Sequence, residues 1–147
     1  MPHPRSYGLE AACPVSRSLT VLGRRWTLLL LREAFLGKTR FAEFSRIGIP
    51  SDVLAARLQA LVDEGLFERR PYQSDGERAR DEYVLTDAGR STLPIIAALA
   101  AWGDEHVPSA AAEPMRFLDG EDGRPLTIGF TDGAGRAVEA SDVLITR

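Results

Sequence analysis

Gly48-Ile49-Pro50-Ser51-Asp52-Val53-Leu54-Ala55-Ala56-Arg57-Leu58-Gln59-Ala60-Leu61-Val62-Asp63-Glu64-Gly65-Leu66-Phe67 is the stretch whose reading decides the fold. Val53, Leu54, Leu58, Leu61 and Val62 recur at steps of three and four, which predicts a helix over 52–64 with these residues inward. Ser51 suits its N-cap and Gly65 the position after its end. Asp52, Ala55, Ala56, Gln59 and Asp63 fall largely on the other faces. Upstream, Thr39 can cap a short helix carrying Phe41, Phe44 and Ile47 and closed by Gly48. Two helices across the tight Gly48–Ser51 connection read as a helix-turn-helix. After Gly65 the period drops to two. Leu66–Tyr72 and Glu82–Leu85 read as strands around the polar tip 73–80, which makes a wing.

Working outward, Val15, Leu19 and Leu22 give a helix with Pro14 at its first position and Gly23 at its end. A second helix is expected from Trp26 to Leu36, with Trp26, Leu29, Leu30, Ala34 and Phe35 toward the core and Gly37 as its stop. Thr86-Asp87 opens a last helix, where Pro94 should either kink it or mark the start of its long part. Leu93, Ile96, Leu99, Ala100 and Trp102 there, with Leu19 near the N-terminus, form more apolar surface than a small core needs. They predict a homodimer interface, against the alternative of packing on their own domain. Residues 108–114 have linker composition. Beyond them Arg116–Leu118, Leu126–Phe130 and Val143–Thr146 look like short strands, with turns at Asp122-Gly123 and Asp132-Gly133. The expected class is α+β, mainly α. Residues 1–107 would be a winged-helix DNA-binding and dimerisation domain, and 108–147 a linker with a small β extension too small to fold well alone.

The 147 residues carry 18 Lys+Arg against 21 Asp+Glu, a net charge of −3, with 44% hydrophobic residues. No apolar run approaches the roughly 20 residues of a membrane span, and Met1–Leu9 has no apolar core of a signal peptide. A cytoplasmic protein away from membranes is expected. The single cysteine, Cys13, excludes an intrachain disulfide and a two-cysteine metal site. With only His3 and His106 beside it, neither a metal nor a cofactor is expected. Neither histidine has a Ser or Cys partner near it in sequence, and no phosphate loop follows a strand, so an enzyme is not expected. Charge is uneven: Met1–Arg46 holds eight basic residues against three acids, whereas Val107 onward holds four against seven. A basic front suits a polyanion, although an uneven solvated surface reads the same way.

Cys13-Pro14-Val15, Gly23–Glu33, Arg40-Phe41, Leu54–Leu58, Glu64-Gly65-Leu66, Glu82–Thr86 and Ala101-Trp102-Gly103 together resemble the HxlR-type winged-helix regulators. The resemblance runs from Cys13 to His106 with order and spacing kept. It implies a homodimeric bacterial transcription factor related in fold to the MarR group, of a kind that commonly answers oxidative, electrophile or metabolic stress. The C-terminal part is similar to a β tail that carries paired cysteines in some members. Here the turn reads Thr131-Asp132-Gly133-Ala134-Gly135, so metal binding does not carry over.

For double-stranded DNA, a helix must enter the major groove while cations meet phosphates, and two copies must sit about 34 Å apart on the duplex. Ser51, Asp52, Ala55, Ala56 and Gln59 are the outward candidates. The small alanines allow close approach and contact with thymine methyls, and Gln59 could read adenine. Arg57 would reach phosphate or brace the helix. Asp52 departs from the amide or base that the family often places there, and a role in capping its own helix is favoured over reading cytosine. Lys38, Arg40 and Arg46 on the approach, with Arg78 and Arg80 on the wing, would meet backbone and minor groove; Asp75, Glu77, Asp81 and Glu82 dilute the wing's charge. Cys13, at a helix start with Arg17 four residues on, is a candidate redox or electrophile sensor, since both features favour thiolate. An inert buried cysteine is the competing reading. The resemblance adds that an N-terminal cysteine here is the sensing thiol in some members. Besides an oxidant, a small-molecule effector is a possible input. The competing function is a winged-helix protein-interaction module without DNA binding, motivated by Asp52 and the acidic wing and tail.

Overall fold

In chain order, α1 (Pro14–Leu22), α2 (Thr27–Phe35) and α3 (Phe41–Phe44) lead through a 3-10 turn at Ser45–Ile47 to α4 (Ser51–Asp63). The antiparallel hairpin of β1 (Phe67–Tyr72) and β2 (Arg80–Leu85) follows, then α5 (Asp87–Arg90) and α6 (Leu93–His106). A second hairpin pairs β3 (Phe130–Thr131) with β4 (Ala137–Val138). This computed structural model describes residues 12–73, 76, 78–111 and 113–146. The readings made on Met1–Leu9, on His3 and on the wing acids Asp75 and Glu77 lie outside the described residues. Backbone contacts divide the chain into residues 1–93 and 94–147.

The mainly helical α+β arrangement follows from one apolar stripe. Leu54, Leu58 and Leu61 of α4 are fully buried, as are Leu30 and Leu31 of α2, Phe44 of α3 and Phe67 of β1. Phe44 and Phe67 meet with ring centroids 6.0 Å apart. Each leucine so buried is worth about 1.5–3 kcal/mol. Val53 and Val62, at the edges of the stripe, are half-buried.

In α2 the expected inward set is corrected. Thr27, Leu30 and Leu31 are buried at steps of three and four, whereas Leu29 is exposed and Trp26 lies only half-buried before the helix. Trp26 is the N-cap, held at φ 75°, in the left-handed region that bulky residues rarely occupy. Its ring carries the Arg25 guanidinium at 4.9 Å. The helix therefore starts one residue late, at Thr27.

The caps differ from the expected ones at two places. Pro50, not Ser51, is the N-cap of α4, because the Pro50 carbonyl accepts the first helical bond, from the Leu54 N–H at 2.8 Å. Ser51 becomes the first helical residue, and Asp52 stands in the first turn without a side-chain cap bond. Its carboxylate favours the helix end through the backbone dipole instead. Arg40, not Thr39, is the N-cap of α3, and the Glu43 carboxylate reaches back to accept from the N–H groups of Thr39 (3.0 Å) and Arg40 (2.9 Å). Gly65 behaves as expected after α4, at φ 74°, a conformation glycine adopts without steric cost.

The Pro94 alternatives resolve into a fresh start, with α5 capped by the Thr86 hydroxyl accepting from the Gly89 N–H at 3.0 Å and α6 beginning at Leu93. Gly89 is buried, and a Cβ there would lie 2.2 Å from the Leu66 carbonyl oxygen and 2.9 Å from a Leu85 methyl. Gly89→Ala should therefore destabilise the chain by about 1–3 kcal/mol, as overpacking against backbone does. Urea unfolding would check it; an unchanged midpoint with an unchanged slope would mean the α5 approach is soft.

In residues 94–147 only part of the expected β content forms. The Asp132-Gly133 turn joins β3 to β4, and the Asp132 carboxylate accepts from the Ala134 N–H (2.9 Å), the Arg136 N–H (3.0 Å) and the Arg136 Nε (2.8 Å). The Arg136 bonds, and then the Ala134 N–H, hold the Asp132 carboxyl below its ordinary range. Around Asp122-Gly123 the pairing stops at an isolated Leu118–Pro125 bridge and a Leu126 N–H to Phe117 carbonyl bond at 2.7 Å. Val143–Thr146 is not a strand, and Leu144 and Ile145 are 90% and 94% exposed. β-branched composition alone does not make a strand where no neighbour offers a ladder. Among the described residues no helix is long and apolar enough to cross a membrane.

Candidate nucleic-acid interface

With Leu54, Leu58 and Leu61 facing inward, helical geometry turns Ser51, Asp52, Ala55 and Ala56 to the solvent side of α4, and all four are exposed. A ridge this low lets backbone approach a groove closely. Arg57 is half-buried, with its Nε buried and without a hydrogen-bond partner. Gln59 is half-buried and occupied at both ends of its amide. Its Nε2 donates to Asp63 at 2.6 Å, and its Oε1 accepts from the Arg69 guanidinium.

Arg69 is the residue the sequence reading missed. Its guanidinium also lies 3.9 Å from the Asp81 carboxylate and 5.7 Å from the Tyr83 ring centroid. It ties β1 to α4 and to β2 at once, fixing the wing relative to the helix. The hairpin register that pairs Arg69 with Tyr83 could have been counted from the tip, had both strand ends been known. Asp81, read from the sequence as diluting the wing's positive charge, is engaged with Arg69 in this way.

The wing stem also meets the approach to the helix-turn-helix. The Tyr83 N–H donates to the Thr39 carbonyl at 2.7 Å, and Arg40 bridges to Glu82 as an added antiparallel pair. The Arg40 guanidinium lies 4.4 Å from the Tyr72 ring centroid, a cation–π contact. Arg46, Arg78 and Arg80 are exposed, and Lys38 is half-buried. Among the described residues Arg78 and Arg80 make no ion pair.

Glu43 organises this approach from within α3. The N–H groups of Thr39 and then Arg40 hold its carboxyl below the ordinary glutamate range, helped by the charges of Lys38 and Arg40. Glu43→Ala should cost about 1 kcal/mol at neutral pH, as loss of a capping interaction does. A folded value lowered below the unfolded one gives stability present above the ordinary value of 4.5 and lost as pH falls through the lowered value. The gap between variant and parent in urea midpoints should therefore close in acid; a gap that widened there would assign Glu43 another role.

Cys13 is exposed and stands at the N-cap of α1, with Pro14 in the first turn. Arg17 is placed beside it through an N–H bond to the Cys13 carbonyl (3.1 Å) and a guanidinium bond to the Ala12 carbonyl (2.8 Å). Of the residues expected at a dimer interface, Leu19, Leu93, Leu99 and Trp102 are 38–59% exposed. Ala100 is half-buried, while Ile96 is buried within the chain.

A family profile described as HxlR-like helix-turn-helix matches residues 21–111. An HTH-type transcriptional regulator of Mycobacterium tuberculosis is 50% identical over 104 residues, covering 70% of this chain and 65% of that protein. The match thus spans just under two thirds of that relative's length. Among solved structures, PA1607, described as a candidate transcription factor, superposes with a TM-score of 0.79 at 35% identity, over 95% of this chain and 97% of that one. The redox regulator HypR in its reduced form gives 0.59 at 33% identity, over 65% of this chain and 95% of that one. The chain, with its winged helix, belongs to the HxlR-like helix-turn-helix family.

Proposed function

We propose that this regulator acts as a homodimer on a pseudo-palindromic operator, with α4 of each copy in successive major grooves and the Arg78–Arg80 wings on the flanking backbone. The observation that carries this reading is the exposed, small-residue face of α4 at Ser51, Asp52, Ala55 and Ala56, opposite a fully buried leucine stripe. Lys38, Arg40 and Arg46 supply cations on the approach. Ala55 and Ala56 contact thymine methyls, Arg57 reaches or braces toward phosphate, and Gln59 contributes to base reading only on releasing Arg69 or Asp63. Asp52 serves the helix end rather than a base. Dimerisation covers the apolar side chains that α1 and α6 leave exposed in one copy.

The test is titration of the duplex upstream of the protein's own gene, followed by fluorescence anisotropy at rising salt. Log affinity should fall steeply and linearly with log salt as counterions are released. A flat line, with a stable protein partner recovered in place of a footprint, would favour the protein-interaction reading.

The input we assign to Cys13 is an oxidant or electrophile. An exposed thiol beside a helix start and an arginine favours the reactive thiolate, and the chain's likeness to the redox regulator HypR supports the assignment. With one cysteine per copy, the response runs through a thiol adduct, a sulfenate or a disulfide between copies. Diamide should release the parent protein from its operator and leave Cys13→Ser bound. Release of the serine variant would remove Cys13 from the response.

A further inference from the structure

Side chains between Ala34 and Leu93 line a half-open cavity of about 410 Å³. That is within the roughly 300–1,000 Å³ of small-molecule pockets. Its wall is mainly apolar, from Phe35 at the end of α2, Tyr83 and Val84 of β2, and Leu93. Two cations border it, Lys38 and Arg90, and no carboxylate is among its lining residues. Arg90 is fixed there, one guanidinium nitrogen donating to the Leu85 carbonyl at 2.7 Å and the other to Asp87 at 3.0 Å. That leaves part of its five-donor fork for a ligand. The nearby Glu43 carboxylate is already engaged by the Thr39 and Arg40 N–H groups.

We propose that this cavity binds a small organic carboxylate with an aromatic or short aliphatic tail, the tail against Phe35 and Val84 and the carboxylate between Lys38 and Arg90. An apolar enclosure with a cationic rim favours that pairing: the tail gains by leaving water, and the anion gains charge-assisted hydrogen bonds. The location gives such a ligand a consequence. The cavity wall includes Thr39 and Tyr83, the two residues joined by the 2.7 Å bond between the wing stem and the approach to α3. A ligand filling the space favours one spacing of wing and helix-turn-helix over another, and shifts DNA affinity by its preference between them. This effector role rests on the regulator reading above, whereas the binding itself does not.

The experiment is calorimetric titration of the full chain with benzoate, phenylacetate and hexanoate, and with their neutral amides benzamide, phenylacetamide and hexanamide. At least one carboxylate should bind about tenfold or more tightly than its neutral counterpart. Lys38→Met should remove that preference, read on ligand binding alone. Val84→Phe, or Ala34→Met should that variant fail to fold, should abolish carboxylate binding by filling the space. No binding by any of the three acids, or equal binding of acid and neutral forms, overturns the proposal. So does carboxylate binding that survives the filling variant. Anisotropy on the upstream duplex is the separate arm: carboxylate binding with no DNA binding under any condition sinks the regulator reading and leaves the site standing.

Discussion

Glutamate in place of Ala55 is expected to lower affinity for the upstream duplex by about a hundredfold or more, with little change in the stability of the free protein. Position 55 is exposed in the second turn of α4, and glutamate is nearly as good a helix former as alanine. Nothing buried is disturbed, so the unfolding midpoint should move by less than about 0.5 kcal/mol. In the complex the new carboxylate would be driven toward the phosphate-lined groove with no cation beside it. Like charges so juxtaposed cost several kcal/mol, and each 1.4 kcal/mol is about a tenfold loss of affinity. Anisotropy measured at one fixed salt concentration decides the matter. Unchanged affinity would take α4 out of the groove and leave the exposed arginines to account for any binding. Arg80→Ala is the instructive contrast, because loss of one phosphate contact should weaken all sequences alike and reduce the salt slope by about one.

The winged helix was legible because its signals are local and agree with one another. The leucine spacing in α4 and the period change after Gly65 each specify geometry within a few residues, and each is found where it was read; Thr86, read as opening the last helix, caps the separate short α5. The misplaced caps have one cause. Sequence preference favours Ser or Thr at an N-cap, but the N-cap is set by which carbonyl accepts the first helical bond, and the Pro50 carbonyl does so. Likewise the Arg40 carbonyl accepts from the Phe44 N–H at 3.2 Å, which makes Arg40 and not Thr39 the N-cap of α3. Leu29 illustrates a phase error: in a run of four leucines the spacing alone does not say which of them turn inward.

The contacts that complete the candidate site were hidden for a different reason. The Arg69 contacts with Gln59, Asp81 and Tyr83 depend on strand register and on two elements brought together by the core. No periodicity encodes such a meeting. The pairing of Thr39 and Arg40 with β2 is similar, since a two-residue strand leaves no pattern of its own. In the C-terminal part the same limit acts in reverse. Val143–Thr146 carries strand composition, but Leu144 and Ile145 lie almost wholly exposed, for want of an adjacent edge to pair with.

Arginine at both Leu99 and Trp102 should convert the protein to a monomer and reduce operator affinity by a further large factor. These side chains are 49% and 59% exposed on α6, so the substitution removes little that a single chain buries, and the fold should persist. In a dimer the same positions would set cations from two copies against apolar surface, where desolvating an unpaired charge costs several kcal/mol. Sedimentation should show the parent as a dimer and the double variant as a single chain at micromolar concentration. A monomer engages one half-site at a time and forfeits the effective concentration that holds the second α4 near its groove, an advantage of about 10²–10⁴ in affinity. The two readouts must therefore move together. A persistent dimer would place the interface away from α6. A monomer that still bound the whole operator with parental affinity would show that paired recognition helices are not what this regulator uses.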